Sequence, residues 1–145
     1  MILRGACHCR QVEVAFETAM PVADLPLRAC GCSFCRRHGT KAVVDPNGLL
    51  TIFAAPNGLS RYRFGLRTAD YLICRTCGAY VAAVISGNGE ERATLNVTAT
   101  AIAGLADRRA EPVDYDRENA DGRRARRLTT WTPSRIVQRT QAGVG

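Results

Sequence analysis

A chain of 145 residues is sized for one domain with a real core, and no apolar run in it approaches the roughly 18 residues of a membrane-crossing helix. Its formal net charge is +7, with Lys41 the only lysine among 20 basic residues, so attraction to nucleic acid or to an anionic small molecule has to be weighed against a simple bias toward arginine. The opening Met-Ile-Leu-Arg-Gly-Ala-Cys-His-Cys-Arg-Gln lacks the apolar centre of a signal peptide, and a cytoplasmic protein without a membrane partner is expected.

In chain order, residues 10–16 alternate polar and apolar and predict a half-buried strand, preceded by the tight pair Cys7 and Cys9. Pro21 and Pro26 punctuate the connection to a short extended piece over 27–30. One helical turn is expected around 36–39, stopped by Gly39. Strands follow over 41–45 and 49–54, separated by the turn Asp45-Pro46-Asn47-Gly48. A further turn at Pro56-Asn57-Gly58 leads into alternating residues at 60–64. Residues 71–73 run into Cys74-Arg75-Thr76-Cys77, and Gly78 suits the left-handed position after such a knuckle. The apolar run 79–85 and the β-branched, alternating run 93–103 complete the predicted strands. The fold class is therefore mainly β with little helix, in a single domain over 1–145. A β core is expected over about 1–110 and a polar, basic segment over about 111–145 packing on it. Within that segment the run 123–127 is expected to be a solvated face rather than a nucleic-acid patch.

Seven cysteines occupy three clusters: Cys7 and Cys9; Cys30, Cys32 and Cys35; Cys74 and Cys77. Thiolates bind zinc, and pairs one or two residues apart deliver two ligands from one tight turn. Cysteines that close in sequence are poorly placed to pair with each other, and an odd count leaves one thiol over, which argues against a disulfide framework. A redox Cys-x-x-Cys normally opens a helix in a βαβ unit, whereas Cys74 and Cys77 lie between strand-like runs. Seven ligands divide as four plus three: four close a structural site and three leave a position open. Two zinc ions per chain are expected, and with seven thiolates they bring the net charge to about +4.

These motifs carry a resemblance. Gly5-Ala6-Cys7-His8-Cys9, Cys30-Gly31-Cys32-Ser33-Phe34-Cys35-Arg36-Arg37 and Cys74-Arg75-Thr76-Cys77-Gly78 resemble the glutathione-dependent formaldehyde-activating family, a domain also found in a vertebrate centromere protein. Asp114-Tyr115-Asp116, the basic stretch and Trp131-Thr132-Pro133 extend the resemblance over nearly the whole chain. It implies a β-tent of antiparallel sheets stapled by zinc. It also implies a closed site of Cys7, Cys9, Cys74 and Cys77 and an open, catalytic site of Cys30, Cys32 and Cys35. Gly31 stands where that family often has histidine.

An open three-thiolate zinc is a weak Lewis acid but accepts a soft thiol and favours its deprotonated form. The expected activity is that of a zinc-dependent carbon–sulfur lyase, with glutathione as co-substrate and adducts such as S-(hydroxymethyl)glutathione, the formaldehyde adduct, as substrate. Arg36, Arg37 and His38 follow the third ligand and are candidates for binding that substrate, the arginines through its carboxylates and His38 as a proton carrier. His8, between two structural ligands, is expected to point away from the metal. The alternative is a non-catalytic, zinc-stabilised β module binding nucleic acid or a protein. The oligomeric state is left open by the sequence.

Overall fold

The computed structural model describes residues 1–139. It is mainly β, as the sequence predicts. Two sheets share one strand. In the first, β1 (Ile2–Ala6) pairs with β2 (Glu13–Glu17), and β2 with β5 (Leu49–Ala54). The second runs from β3 (Leu27–Cys30) through β4 (Ala42–Val43) to β9 (Glu90–Asn96), then through β8 (Tyr80–Gly87) and β7 (Asp70–Cys74) to β6 (Leu59–Tyr62). At its other edge β10 (Glu111–Val113) lies beside β3.

The shared strand is β11 (Thr132–Gln138). Thr132 and Pro133 pair with β9, and Ser134 to Gln138 pair with β5. Proline, which has no N–H to give a ladder, sits where the strand changes partners. The antiparallel expectation holds for every pairing except β10 with β3 and β11 with β5, which are parallel. Within the described part of the segment over about 111–145, β11 enters the sheet between β5 and β9.

The apolar run at 79–85 has its explanation in β8, which is buried on both faces. Ala82 and Val84 join the main core with Phe16, Leu50, Ile52 and Leu95. Ala83 and Ile85 face a smaller cluster with Tyr80 and Trp131. A strand covered on both sides loses the alternation that a half-buried strand shows.

Two boundaries differ for local reasons. The run 93–103 alternates throughout, yet β9 stops at Asn96. The buried Asn96 amide donates to the Tyr80 carbonyl (3.0 Å) and accepts from the Thr98 amide (3.2 Å), while the Thr100 hydroxyl donates to the Asn96 carbonyl (2.8 Å). These bonds offer the backbone a turn in place of the ladder. In the tail, the polar residues fold as α2 (Ala120–Thr130), whose first turn is capped by Asn119 Oδ1 accepting from the Gly122 amide at 2.7 Å. The basic run 123–127 lies on this helix and is not a solvated face throughout. Arg124 is exposed and Arg123 and Arg126 are half-buried, but Arg127 is only 6% exposed. The helical turn predicted at 36–39 is present three residues earlier, as α1 (Ser33–Arg37).

Candidate metal centres and the cavity beside them

The first cluster forms where two distant turns meet. Cys7 and Cys9 lie in the turn from β1 to β2, held by the Cys7 amide donating to the Val12 carbonyl (3.0 Å) and the Arg10 amide donating to the Cys7 carbonyl (2.9 Å). Cys74 ends β7, and Cys77 precedes Gly78, which takes φ of +78° while its amide closes the knuckle on the Cys74 carbonyl at 2.9 Å. That is the left-handed turn the sequence predicts. The two turns belong to different sheets, so this cluster clips one sheet to the other. His8 is exposed and stands outside the cluster.

The second cluster is local. Cys30 ends β3, Cys32 is the N-cap of α1 and Cys35 lies within that helix. The Cys32 sulfur accepts from the Cys35 amide at 3.4 Å, so the cap itself brings two of the three sulfurs together. The Gly31 amide donates to the Val113 carbonyl at 3.1 Å, which fastens the turn to β10. A Cβ at Gly31 would meet only that carbonyl oxygen, at 3.6 Å, so the position has space for a side chain.

Both groups fit a metal. All seven thiols are free, which excludes the disulfide framework among them. Within each group the sulfurs lie within 4.8 Å of one another, with Cys7 to Cys9 at 3.7 Å and Cys9 to Cys74 at 3.6 Å. Zinc–sulfur bonds of about 2.3 Å in a tetrahedron place the sulfurs about 3.8 Å apart. The donor set and its spacing are consistent with zinc.

The thiols show what a cation there would have to overcome. Burial pushes Cys7 up to about 12 and raises Cys9 as well. At Cys77 burial also pushes upward, but the backbone groups of Cys9 and Ala79 outweigh it and bring the thiol down to about 6. In the second cluster, hydrogen bonds from Cys30 and Cys35 hold Cys32 far below the ordinary thiol value, at about 2. Cys35 is raised by its hydrogen bonds with Cys30 first and Cys32 next, and Cys30 is raised chiefly by its bond with Cys32. In the first cluster the sulfurs of Cys7, Cys9 and Cys74 lie at hydrogen-bonding distance, where either partner of each pair can donate. A bound dication would favour the thiolate at every position.

Cys30 and Cys35 stand in the walls of two pockets. One is open, about 420 Å³, and is lined by Arg36, Lys41, Arg108 and Arg109, with Asp107 as the acid. The other is narrower, about 70 Å³, and lies between the second sheet and α2. Of the expected substrate residues, Arg36 borders the open pocket, whereas Arg37 and His38 line neither. All three are exposed, and the His38 ring rests on Phe34 with centroids 4.4 Å apart.

Sequence reasoning missed the inner pocket. Tyr71 and Tyr80 read as strand residues, Trp131 only as part of the motif that carries the resemblance, Thr40 carried no signal, and Arg127 read as one of a solvated run. Burial raises the pKa of both Tyr71 and Tyr80, so these phenols stay neutral. Arg127 extends over the Trp131 ring, 4.6 Å from its centroid, and donates to the Thr68 hydroxyl at 2.8 Å. No sequence periodicity distinguishes it from Arg124 or Arg126; only the docking of α2 does.

No family model matches the chain, and no curated protein matches it. Among solved structures it is similar to a Rhodobacter sphaeroides protein from structural genomics, with a TM-score of 0.58 and 35% sequence identity. The match covers 76% of this chain and 99% of that one, an extent at which the two share a family.

Proposed function

Taking the chain as a member of one family with the Rhodobacter sphaeroides protein, we propose that it is a zinc-dependent enzyme of the carbon–sulfur lyase type acting on thiol–aldehyde adducts. The observation that carries this reading is the second cluster: three sulfurs without a fourth cysteine, with Cys30 and Cys35 in the walls of both pockets. Zinc held by three thiolates supplies a position where a thiol ligand gives up its proton. Cys30, Cys32 and Cys35 would hold it there, while Cys7, Cys9, Cys74 and Cys77 would hold the structural ion.

In the cleavage direction the carbon–sulfur bond breaks with its electron pair going to sulfur. The adduct hydroxyl loses its proton and becomes the carbonyl of the released aldehyde; formation of the adduct is the reverse. Glutathione suits the open pocket, whose volume admits an extended peptide thiol and whose arginines attract its carboxylates. Arg36, beside the last cysteine ligand, is placed to take one of them, and Asp107 can meet the peptide's amino group.

Metal analysis combined with cobalt substitution tests this. Two metals per chain are expected, and added glutathione should strengthen the thiolate-to-cobalt absorption as a fourth sulfur joins. Cys35→Ser should abolish that response and leave one metal per chain. A protein with a single metal and no response to thiol would instead be a metal-stabilised binding module.

A further inference from the structure

The inner pocket contains a buried guanidinium, in a lining that also carries Arg28, Arg126 and the sulfurs of Cys30 and Cys35. Arg127 is 6% exposed, and no carboxylate lines the pocket with it. Its neighbour Arg126 differs, because Glu118 accepts two hydrogen bonds from it, at 2.7 and 3.0 Å. Arg127 meets the Thr68 hydroxyl, the Trp131 ring and the Tyr71 phenol, all of them neutral, and its Nε has no hydrogen-bond partner among the described residues. A second buried polar atom, Thr40 Oγ1, in the lining of both pockets, is also without a partner among the described residues. Burying an unpaired charge and leaving polar groups unsatisfied both cost stability, and such groups call for an explanation. Arginine nitrogen can only donate, and a threonine hydroxyl can donate. The missing partner is therefore an acceptor, and beside a guanidinium the favoured acceptor is an anion with two oxygens.

We propose that the inner pocket is a carboxylate subsite, in which Arg127 and Thr40 bind the carboxylate of a compact carbonyl substrate of the 2-oxo-acid class, glyoxylate being the smallest. The carboxylate subsite stands on the pocket alone; the carbonyl role rests on the lyase reading above. A pocket of about 70 Å³ has room for a carboxylate and a few more heavy atoms, not for a tripeptide. With Cys30 and Cys35 in the walls of both pockets, the thiol partner would approach from the open side and the carbonyl partner from the inner side. Formaldehyde offers Arg127 one neutral carbonyl oxygen, without the charge or the second oxygen of a carboxylate. The carbon–sulfur bond would form between thiol sulfur and the aldehyde carbon, with the thiol proton ending on the new hydroxyl.

Trp131 is the only tryptophan in the chain and lines the inner pocket, so its fluorescence reports occupancy directly. The protein as purified is titrated with propionate and with propionamide, which match in size and differ in charge. Propionate should bind at least about tenfold more tightly. Glyoxylate should compete with propionate, and neutral glycolaldehyde should compete far less. Arg127→Gln should bring the two titrations to within about twofold. Arg127→Lys keeps the charge while losing the fork, and should retain part of the preference. Circular dichroism checks that each variant folds, and the wild-type comparison stands even where a variant does not. Equal binding of propionate and propionamide to the wild type, or an undiminished preference in folded Arg127→Gln, overturns the subsite. The tryptophan titration needs no added metal. A cobalt spectrum unmoved by thiol therefore overturns the lyase reading, while the titration decides the carboxylate subsite separately.

Discussion

Cys9 and Cys74 are 65 positions apart in the chain, and their sulfur atoms lie 3.6 Å from each other. That contact joins the β1–β2 turn of one sheet to the end of β7 in the other. Structural zinc in such a site contributes on the order of 10 kcal/mol to folding. Cys7→Ser or Cys77→Ser should therefore prevent folding or lower the melting temperature sharply. Cys35→Ser should be milder, because Cys30, Cys32 and Cys35 belong to one continuous turn and helix. Thermal melts of the three variants compare the sites, and equal tolerance would remove the distinction between a structural and a functional cluster.

Gly5 precedes the first cluster for a reason of space. A Cβ there would overlap the Thr100 carbonyl oxygen, which also accepts from the Ala6 amide at 2.9 Å. Gly5→Ala must push the backbone of one segment away and should cost about 1–3 kcal/mol. Denaturant titration should show that loss, accompanied by weaker metal retention at Cys7 and Cys9. A variant with wild-type stability would contradict the close approach.

Glu118 fastens the start of α2 by accepting from Arg123 at 3.3 Å and from Arg126 at 2.7 and 3.0 Å. The hydrogen bond from Arg126 is the main cause that holds its carboxyl below the ordinary value of 4.5. The folded pKa lies below the unfolded one, so this stabilisation is complete above about pH 4.5 and is lost as pH falls through the folded value. Glu118→Gln should lower stability at pH 7 by about 0.5–1 kcal/mol. The gap between variant and wild type should close in acid, which parallel denaturant titrations at pH 7 and below pH 4 would measure. A gap that does not change with pH would assign the effect to packing.

The basic run does not offer nucleic acid a free stripe of charge. Arg123 and Arg126 are held by Glu118, and Arg127 is buried. Binding to DNA or RNA should be weak, unselective and absent at about 200 mM salt. Tight, sequence-selective binding that survives this salt, measured by fluorescence anisotropy, would favour the binding-module alternative over an enzyme.

Much of this protein follows from the sequence alone because its signals are local. Cysteine pairs at one- and two-residue spacing are chelating turns wherever the chain goes. Leu49–Ala54 forms a strand over the residues its composition predicts. Gly78 has the backbone that the Cys-x-x-Cys knuckle requires. Spacing also suggested the division of seven thiols into four and three, with the partners implied by the resemblance. What brings Cys7 and Cys9 onto Cys74 and Cys77 is the meeting of two sheets, which no local pattern encodes. The same holds for Arg127. In the sequence it is one of four arginines in a polar stretch, and a helical period would place it by its neighbours' polarity. Its burial comes from α2 docking against β8 and from β11 entering the sheet beside β9, which carries Trp131 under the guanidinium. Long-range packing decides which of several like charges loses its water, and so decides where the inner pocket places its cation.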